Sequence, residues 1–169
     1  YPTITAAYNA AVAGDSILLY DAGVYPETLS VTRNTSFIGY TTRVAGGDSL
    51  PVWKNVSSAI DTILFIDAPC TVATIKFNCT APVGCDMIVL SGADPDDPCL
   101  IKKCVINGLP VQTFYGIRGY QYDGAIVIDS CTLANFMLSG IYLQSAFTNP
   151  NKMISNCTIS NCSGYGIYF

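Results

Sequence analysis

Histidine is absent from this chain. That absence removes His-containing metal sites and every Ser-His or Cys-His nucleophilic arrangement. Charge is scarce too: Asp, Glu, Lys and Arg make up 12% of the residues, against 50% hydrophobic. So few charges cannot coat solvated helices, but they suit a β-rich fold with Ser, Thr and Asn on its outer surface. Cationic patches are lacking as well. Net charge is −4 and the pI about 4.4, with basic residues scattered apart from Lys102-Lys103. This argues against nucleic acid or an anionic membrane as a partner. No apolar run is long enough to span a bilayer. No CxxC pair occurs, which argues against a structural zinc site. No signal segment precedes Tyr1, so the sequence reads as a mature or trimmed chain.

What is present points outside the cell. Eight cysteines read as disulfides plus buried thiols in an oxidising compartment. Five Asn-x-Ser/Thr sequons, at Asn34, Asn55, Asn78, Asn156 and Asn161, point the same way, towards N-linked glycans. A Ser/Thr/Asn-rich β surface would also generate some sequons by composition alone. Asn34 and Asn55 are expected in loops and Asn78 and Asn156 facing outward, all four accessible, with Asn161 inward at a turn. The expected location is secreted, at an extracellular, cell or virion surface.

The 169 residues suffice for one domain with a sizeable core, expected over 1–169. Residues 1–14 read as an amphipathic capping helix: Ile4, Tyr8, Ala11 and Val12 share one face, and Gly14 stops it. From 15 onwards the chain reads as short strands. These are expected at 16–20, 28–31, 35–40 and 63–66, with 41–54 a long Gly-, Asp- and Pro-rich excursion.

The second half contains a repeat. Leu100–Ile106, Val127–Leu133 and Met153–Ile159 share one pattern: aliphatic, Ile, polar, polar, Cys, small, aliphatic. Their cysteines, Cys104, Cys131 and Cys157, are 27 and 26 residues apart. A Gly-Ile step follows each, at Gly116-Ile117, Gly140-Ile141 and Gly166-Ile167. A weaker copy at Val72–Phe77 places Ala73 at the cysteine position, with Met87-Ile88-Val89 as its Gly-Ile counterpart. A period near 26 residues, with several strands and no helix inside it, indicates a solenoid whose stacked coils make the core. Cys104, Cys131 and Cys157 are then expected inward. The columns Ile101, Ile128, Ile154 and Ile106, Leu133, Ile159 should run parallel to them.

The opening resembles that of pectin-lyase-like right-handed β-helix proteins, on Gly14-Asp15-Ser16-Ile17 after the helix and Gly23-Val24-Tyr25-Pro26-Glu27 at the next turn. The resemblance implies an all-β, right-handed, single-stranded parallel β-helix of about six or seven coils with a short N-terminal capping helix. It implies no activity, since the fold hosts lyases, hydrolases, esterases, tailspikes and inert surface proteins. The pectin esterase Gln-Ala-Val-Ala and Asp-Phe-x-Phe-Gly motifs are missing; Gln144 is the nearest fragment. The polygalacturonase motifs are missing too, and the one that needs histidine is impossible. Arg118 with Asp123 and Asp129 could imitate a lyase base and its Ca²⁺ carboxylates, but Arg118 on an outer strand face and Asp123 in a turn is the preferred reading.

Asp94, Asp96 and Asp97 could offer oxygen ligands to Ca²⁺. Two prolines and irregular spacing favour an exposed turn instead, and no cofactor is expected. Tyr115, Tyr120, Tyr122, Tyr142, Tyr165 and Tyr168 gather near the Gly-Ile strands. Packing within the solenoid and stacking on a carbohydrate are equally open for them. The sequence favours a non-catalytic building block of an extracellular fibre, appendage or coat; the alternative is a polysaccharide-binding or polysaccharide-degrading β-helix protein. Cys70 with Cys99, and Cys79 with Cys85, are the disulfide candidates, with Cys162 left without a clear partner. The C-terminal end has no cap and reads as open to continuation. Head-to-tail self-association is therefore expected through Ile167 and Phe169, against the helix around Ile4, Tyr8 and Val12.

Overall fold

The computed structural model describes residues 1–20, 23–40, 50–55, 62–80, 84–92, 98–120, 122, 124–144 and 151–169. After the single helix α1 (Ile4–Ala10), the described chain repeats a three-strand coil six times. The first coil is β1 (Ser16–Tyr20), β2 (Val24–Pro26) and β3 (Leu29–Val31), and the second β4 (Thr35–Tyr40), β5 (Val52–Lys54) and β6 (Leu64–Ile66). The third is β7 (Cys70–Ala73), β8 (Lys76–Asn78) and β9 (Cys85–Leu90), and the fourth β10 (Cys99–Lys102), β11 (Val105–Asn107) and β12 (Thr113–Tyr120). The fifth is β13 (Ile126–Asp129), β14 (Thr132–Phe136) and β15 (Ser139–Gln144), and the sixth β16 (Lys152–Ser155), β17 (Thr158–Cys162) and β18 (Ile167–Tyr168). First strands pair with first strands, and so on, giving three six-stranded parallel sheets, called A, B and C in chain order. The described residues form an all-β parallel solenoid with one short helix, as the repeat requires.

Strand alternation turns apolar columns of each sheet into the core. In sheet A the column is Ile17, Phe37, Val72, Ile101, Ile128 and Ile154. In sheet B it is Tyr25, Trp53, Phe77, Ile106, Leu133 and Ile159. In sheet C, Leu29, Leu64, Ile88, Ile117, Ile141 and Ile167 align, so the three Gly-Ile steps share one register with Met87-Ile88. Tyr8, Phe37, Trp53 and Phe77 form an internal aromatic run, with ring centroids 6.2, 5.6 and 5.6 Å apart.

The bend from sheet A to sheet B is made by residues in the left-handed region: Thr74, Lys103, Ser130 and Asn156 have φ between 53° and 60°. The residue after each points inward: Ile75, Cys104 and Cys131 are buried and Cys157 is half-buried. The weak copy is therefore shifted by two from the sequence alignment. Ile75, not Ala73, holds the cysteine position, because Val105 pairs with Lys76 and Lys102 with Ala73. Each thiol then reaches back to a carbonyl two residues earlier: Cys104 to Lys102 at 3.3 Å, Cys131 to Asp129 at 3.3 Å and Cys157 to Ser155 at 3.1 Å.

The helix is shorter than the sequence suggested. It ends at Ala10, and Val12 lies outside it, 66% exposed. The opening motif explains how it is held. Thr3 caps the helix by accepting from the Ala6 N–H at 3.0 Å, and the Glu27 carboxylate accepts from the Ile4 and Thr5 N–H groups, both at 2.8 Å, and from the Thr5 hydroxyl at 2.7 Å. Asp15 accepts from the Val12 N–H at 2.8 Å. Arg33 donates to the Tyr8 carbonyl and lies over the Tyr8 ring, 4.1 Å from its centroid. The expected excursion at 41–54 also needs correction. Residues 41–49 lie outside the described residues, but Val52–Lys54 is β5, and Trp53 is fully buried. A side chain at Gly39 would meet the Thr74 carbonyl oxygen at 1.9 Å, so the second coil closes directly on the corner of the third.

Candidate functional site

The outer face of sheet C carries a group of polar and aromatic side chains in mutual contact. Arg118 of β12 lies in register with Val89 of β9 and Tyr142 of β15, and Tyr142 with Tyr168 of β18. One column over, Tyr115 pairs with Asp86. The tyrosine rings form a continuous row across the last three coils. Tyr115 and Tyr142 are 4.9 Å apart at their centroids, Tyr142 and Tyr168 are stacked at 4.9 Å, and Tyr165 leans on Tyr168 at 5.4 Å. Tyr120 and Gln144 extend this face at the strand ends, both exposed, and the Tyr142 hydroxyl donates to Gln144 Oε1 at 3.3 Å.

A single ion pair sits at the margin of the row. Arg118 Nη1 donates to Asp86 Oδ2 at 3.0 Å. The guanidinium lies 5.3 Å from the centroid of Tyr115 and 5.6 Å from that of Tyr120, within cation–π range. The pair is lopsided: the Asp86 side chain is 11% exposed and that of Arg118 37%. Burial pushes the Asp86 carboxyl above the usual carboxylate range, and Arg118 only partly restores it. Burial raises the Tyr115 hydroxyl as well. Asp86 Oδ1 and Arg118 Nε have no hydrogen-bond partner among the described residues. The surface thus combines aromatic faces and edges, phenolic hydroxyls and one cation with spare donors, a combination suited to stacking and hydrogen bonding.

Other sequence candidates fall elsewhere. Tyr122 is 5% exposed and belongs to the core rather than to the tyrosine face. Asp129 lies on β13 in sheet A, so it does not converge with Arg118. Its carboxylate accepts from Ser155 at 2.6 Å, Asn156 at 2.9 Å and Ser130 at 3.0 Å, and these bonds hold it below the usual range. Asp123 and the Ca²⁺ candidates Asp94, Asp96 and Asp97 lie outside the described residues.

Among the sequons, Asn34 and Asn156 are exposed and Asn78 half-buried. Asn55 is not the accessible loop residue that was expected: it is 2% exposed. Its Oδ1 accepts from the Thr80 N–H at 2.7 Å and hydroxyl at 3.1 Å, which ties the second coil to the third and leaves no room for a glycan in the folded chain. Asn161, expected inward, is exposed with φ 53°. It does join a stack, donating to Asn135 at 3.2 Å, which donates to Asn107 at 2.7 Å.

Cys70 and Cys99 open β7 and β10 as direct register partners, both buried. Cys79 and Cys85 meet at the corner between β8 and β9. Of the residues expected at a head-to-tail junction, Val12, Ile167 and Phe169 are exposed, 66%, 41% and 67%, whereas Ile4 and Tyr8 are 2% and 5% exposed, because the helix turns its apolar side onto the first coil. Among the described residues no helix is long and apolar enough to cross a membrane.

Two contributors escaped the sequence reading. Asp86 was visible only as the residue before Met87-Ile88, in the place that Tyr115 and Tyr165 hold before their Gly-Ile steps. Glu27 was visible as a motif letter, but its helix-capping role needed the coil geometry. Comparison with known protein families agrees with this architecture. The family described as "Right handed beta helix region" matches residues 70–169. No curated protein matches the chain. A crystal structure of a pectin methylesterase mutant in complex with a hexasaccharide is similar at 15% identity and a TM-score of 0.48, covering 99% of this chain. The chain spans 62% of that protein's length.

Proposed function

This chain belongs to the right-handed β-helix family, and we propose that it serves as an extracellular carbohydrate-binding protein rather than an enzyme, taking an extended polysaccharide along the outer face of sheet C. The observation that carries this reading is the row Tyr115, Tyr142, Tyr168 and Tyr165, with ring centroids 4.9, 4.9 and 5.4 Å apart and Arg118 beside it. A row of tyrosine rings on the outside of a solenoid supplies apolar contact to sugar rings, while its hydroxyls and the guanidinium supply hydrogen bonds. A run parallel to the solenoid axis fits a linear polymer better than a compact ligand. The eight cysteines and five sequons support a secreted location. The separation of Arg118 from Asp129 on different sheets supports binding over lyase chemistry. The fibre reading is weaker, because Ile4 and Tyr8 of its expected junction are in the core, which leaves Val12 as the exposed apolar side chain there.

The test is affinity electrophoresis against a panel of acidic and neutral polysaccharides, followed by calorimetry with oligosaccharides of the best binder. Tyr142→Ala should weaken binding by about tenfold, roughly 1.4 kcal/mol. Tyr40→Ala, which removes an exposed tyrosine of sheet A packed at a tilt against Tyr20, should leave binding unchanged. Equal losses in both variants, or no binding to any polysaccharide of the panel, would remove this reading.

A further inference from the structure

Of the eight cysteines, two are placed unlike the rest. Cys79 follows β8 and Cys85 begins β9, at the corner where the third coil turns from sheet B to sheet C. Their Sγ atoms are 2.9 Å apart, and the residues are 6% and 0% exposed. That separation is inside the roughly 3.5–4.0 Å at which non-bonded carbon atoms rest, and sulfur is the larger atom. A bond of about 2.0 Å requires the two sulfurs to close by less than one ångström. The corner cysteines Cys104, Cys131 and Cys157 also neighbour one another along their column, but each thiol donates to a carbonyl two residues earlier in its own coil. Cys70 and Cys99 are directly paired across two parallel strands, where side chains stand side by side about 4.8 Å apart.

We propose that Cys79 and Cys85 form a disulfide that clamps this corner, while Cys104, Cys131 and Cys157 remain thiols. The bond would fix the start of β9, and with it Asp86, the next residue along and the anchor of Arg118. The chemistry is a two-electron exchange with a small-molecule disulfide of the glutathione type. One cysteine thiolate attacks the oxidant and releases one thiol. The second thiolate then resolves the mixed disulfide and releases the other, so two thiol protons leave and the oxidant is reduced to two thiols. The hydrogen bond from Cys79 and burial both push the Cys85 thiol up. Oxidation therefore belongs to folding, before the corner closes.

The experiment uses the full chain refolded in a glutathione redox buffer. Free thiols are alkylated under denaturing conditions without reductant, and the chain is then cut after Lys and Arg and before Asp. Residues 77–85 are released with only Cys79 and Cys85 in them. Any glycan on Asn78 is removed after digestion. The expected peptide is unalkylated and two hydrogens lighter than the dithiol, while the peptides carrying Cys104, Cys131 and Cys157 are alkylated. A second measurement follows the thermal midpoint with and without reductant. Reductant should lower it by several degrees in the parent and leave the Cys79→Ser, Cys85→Ser double variant unmoved. Alkylation of both Cys79 and Cys85, a link from either to another cysteine, or equal reductant sensitivity in parent and variant would overturn the proposal. None of these readouts depends on carbohydrate binding.

Discussion

At residue 27 one carboxylate accepts three hydrogen bonds from the first turn of a seven-residue helix. A helix that short does not persist by propensity. It exists because Thr3 and Glu27 satisfy its opening N–H groups, and because Ile4 and Tyr8 bury against the first coil. Glu27→Ala should cost about 1–2 kcal/mol of folding stability, in the range of a lost helix cap, read as a fall in the urea midpoint at unchanged slope. Glu27→Gln, which keeps an acceptor without its charge, should fall between. An unchanged midpoint in Glu27→Ala would mean that the helix is held by its apolar side alone. Asn55 is the same device between coils, a side chain closing the backbone of its neighbour through Thr80. In sequence it looked like a glycan acceptor, because a sequon records a local triplet and is blind to which coil stacks above it.

At the scale of single strands and corners, two aspartates of this solenoid titrate in opposite directions. Asp129 ends β13 and collects hydroxyl and amide donors from the next coil, which lower it. Asp86 starts on the face of β9, where burial outweighs Arg118 and raises it. For a lowered carboxyl, the stabilisation is present above its unfolded value of about 3.9 and is lost as pH falls through the folded value. For a raised one, stability is fully present below that unfolded value and is lost as pH rises through the folded value. Asp129→Asn should therefore be less stable than the parent at pH 7 and approach it in acid. Asp86→Asn should gain on the parent as pH rises from acid to neutral. Urea midpoints measured from neutral pH down to about pH 2, below the unfolded carboxyl value, decide this, and parallel profiles for the two variants would contradict it. The repeat itself was legible, because three coils keep Cys and Gly-Ile at nearly the same spacing. The first three coils were not, since long excursions vary their length and Ile75 replaces the cysteine. Only burial is required at that corner, so an aliphatic side chain serves as well, and alignment by residue type slipped by two. Trp53 and β5 vanished into an apparently loop-like stretch for the same reason.

For the molecule as a whole, stacking makes stability nearly one-dimensional: each coil contacts only its neighbours. In this 169-residue chain the core columns run unbroken from the helix to coil five, where Ile128, Leu133 and Ile141 are fully buried. Their register partners in coil six, Ile154 and Ile159, are half-buried, and Ile167 is 41% exposed. The same chemical deletion should then cost different amounts along one column. Leu133→Ala removes side-chain atoms with neighbours on both sides and should cost about 2–5 kcal/mol, the range for a closed core site. Ile159→Ala, one coil further, opens no enclosed cavity and should cost clearly less, because water already reaches its outer side. Hydrogen exchange should follow the same order, with the amides of β16 and β17 exchanging faster than those of β13 and β14, and those of the helix-covered first coil protected. Coverage of coil six, by a longer chain or by a docked neighbour, would erase the difference between Ile159→Ala and Leu133→Ala and slow exchange in β17. The gradient therefore measures whether this end of the solenoid is bare, and it does so without presuming what covers it.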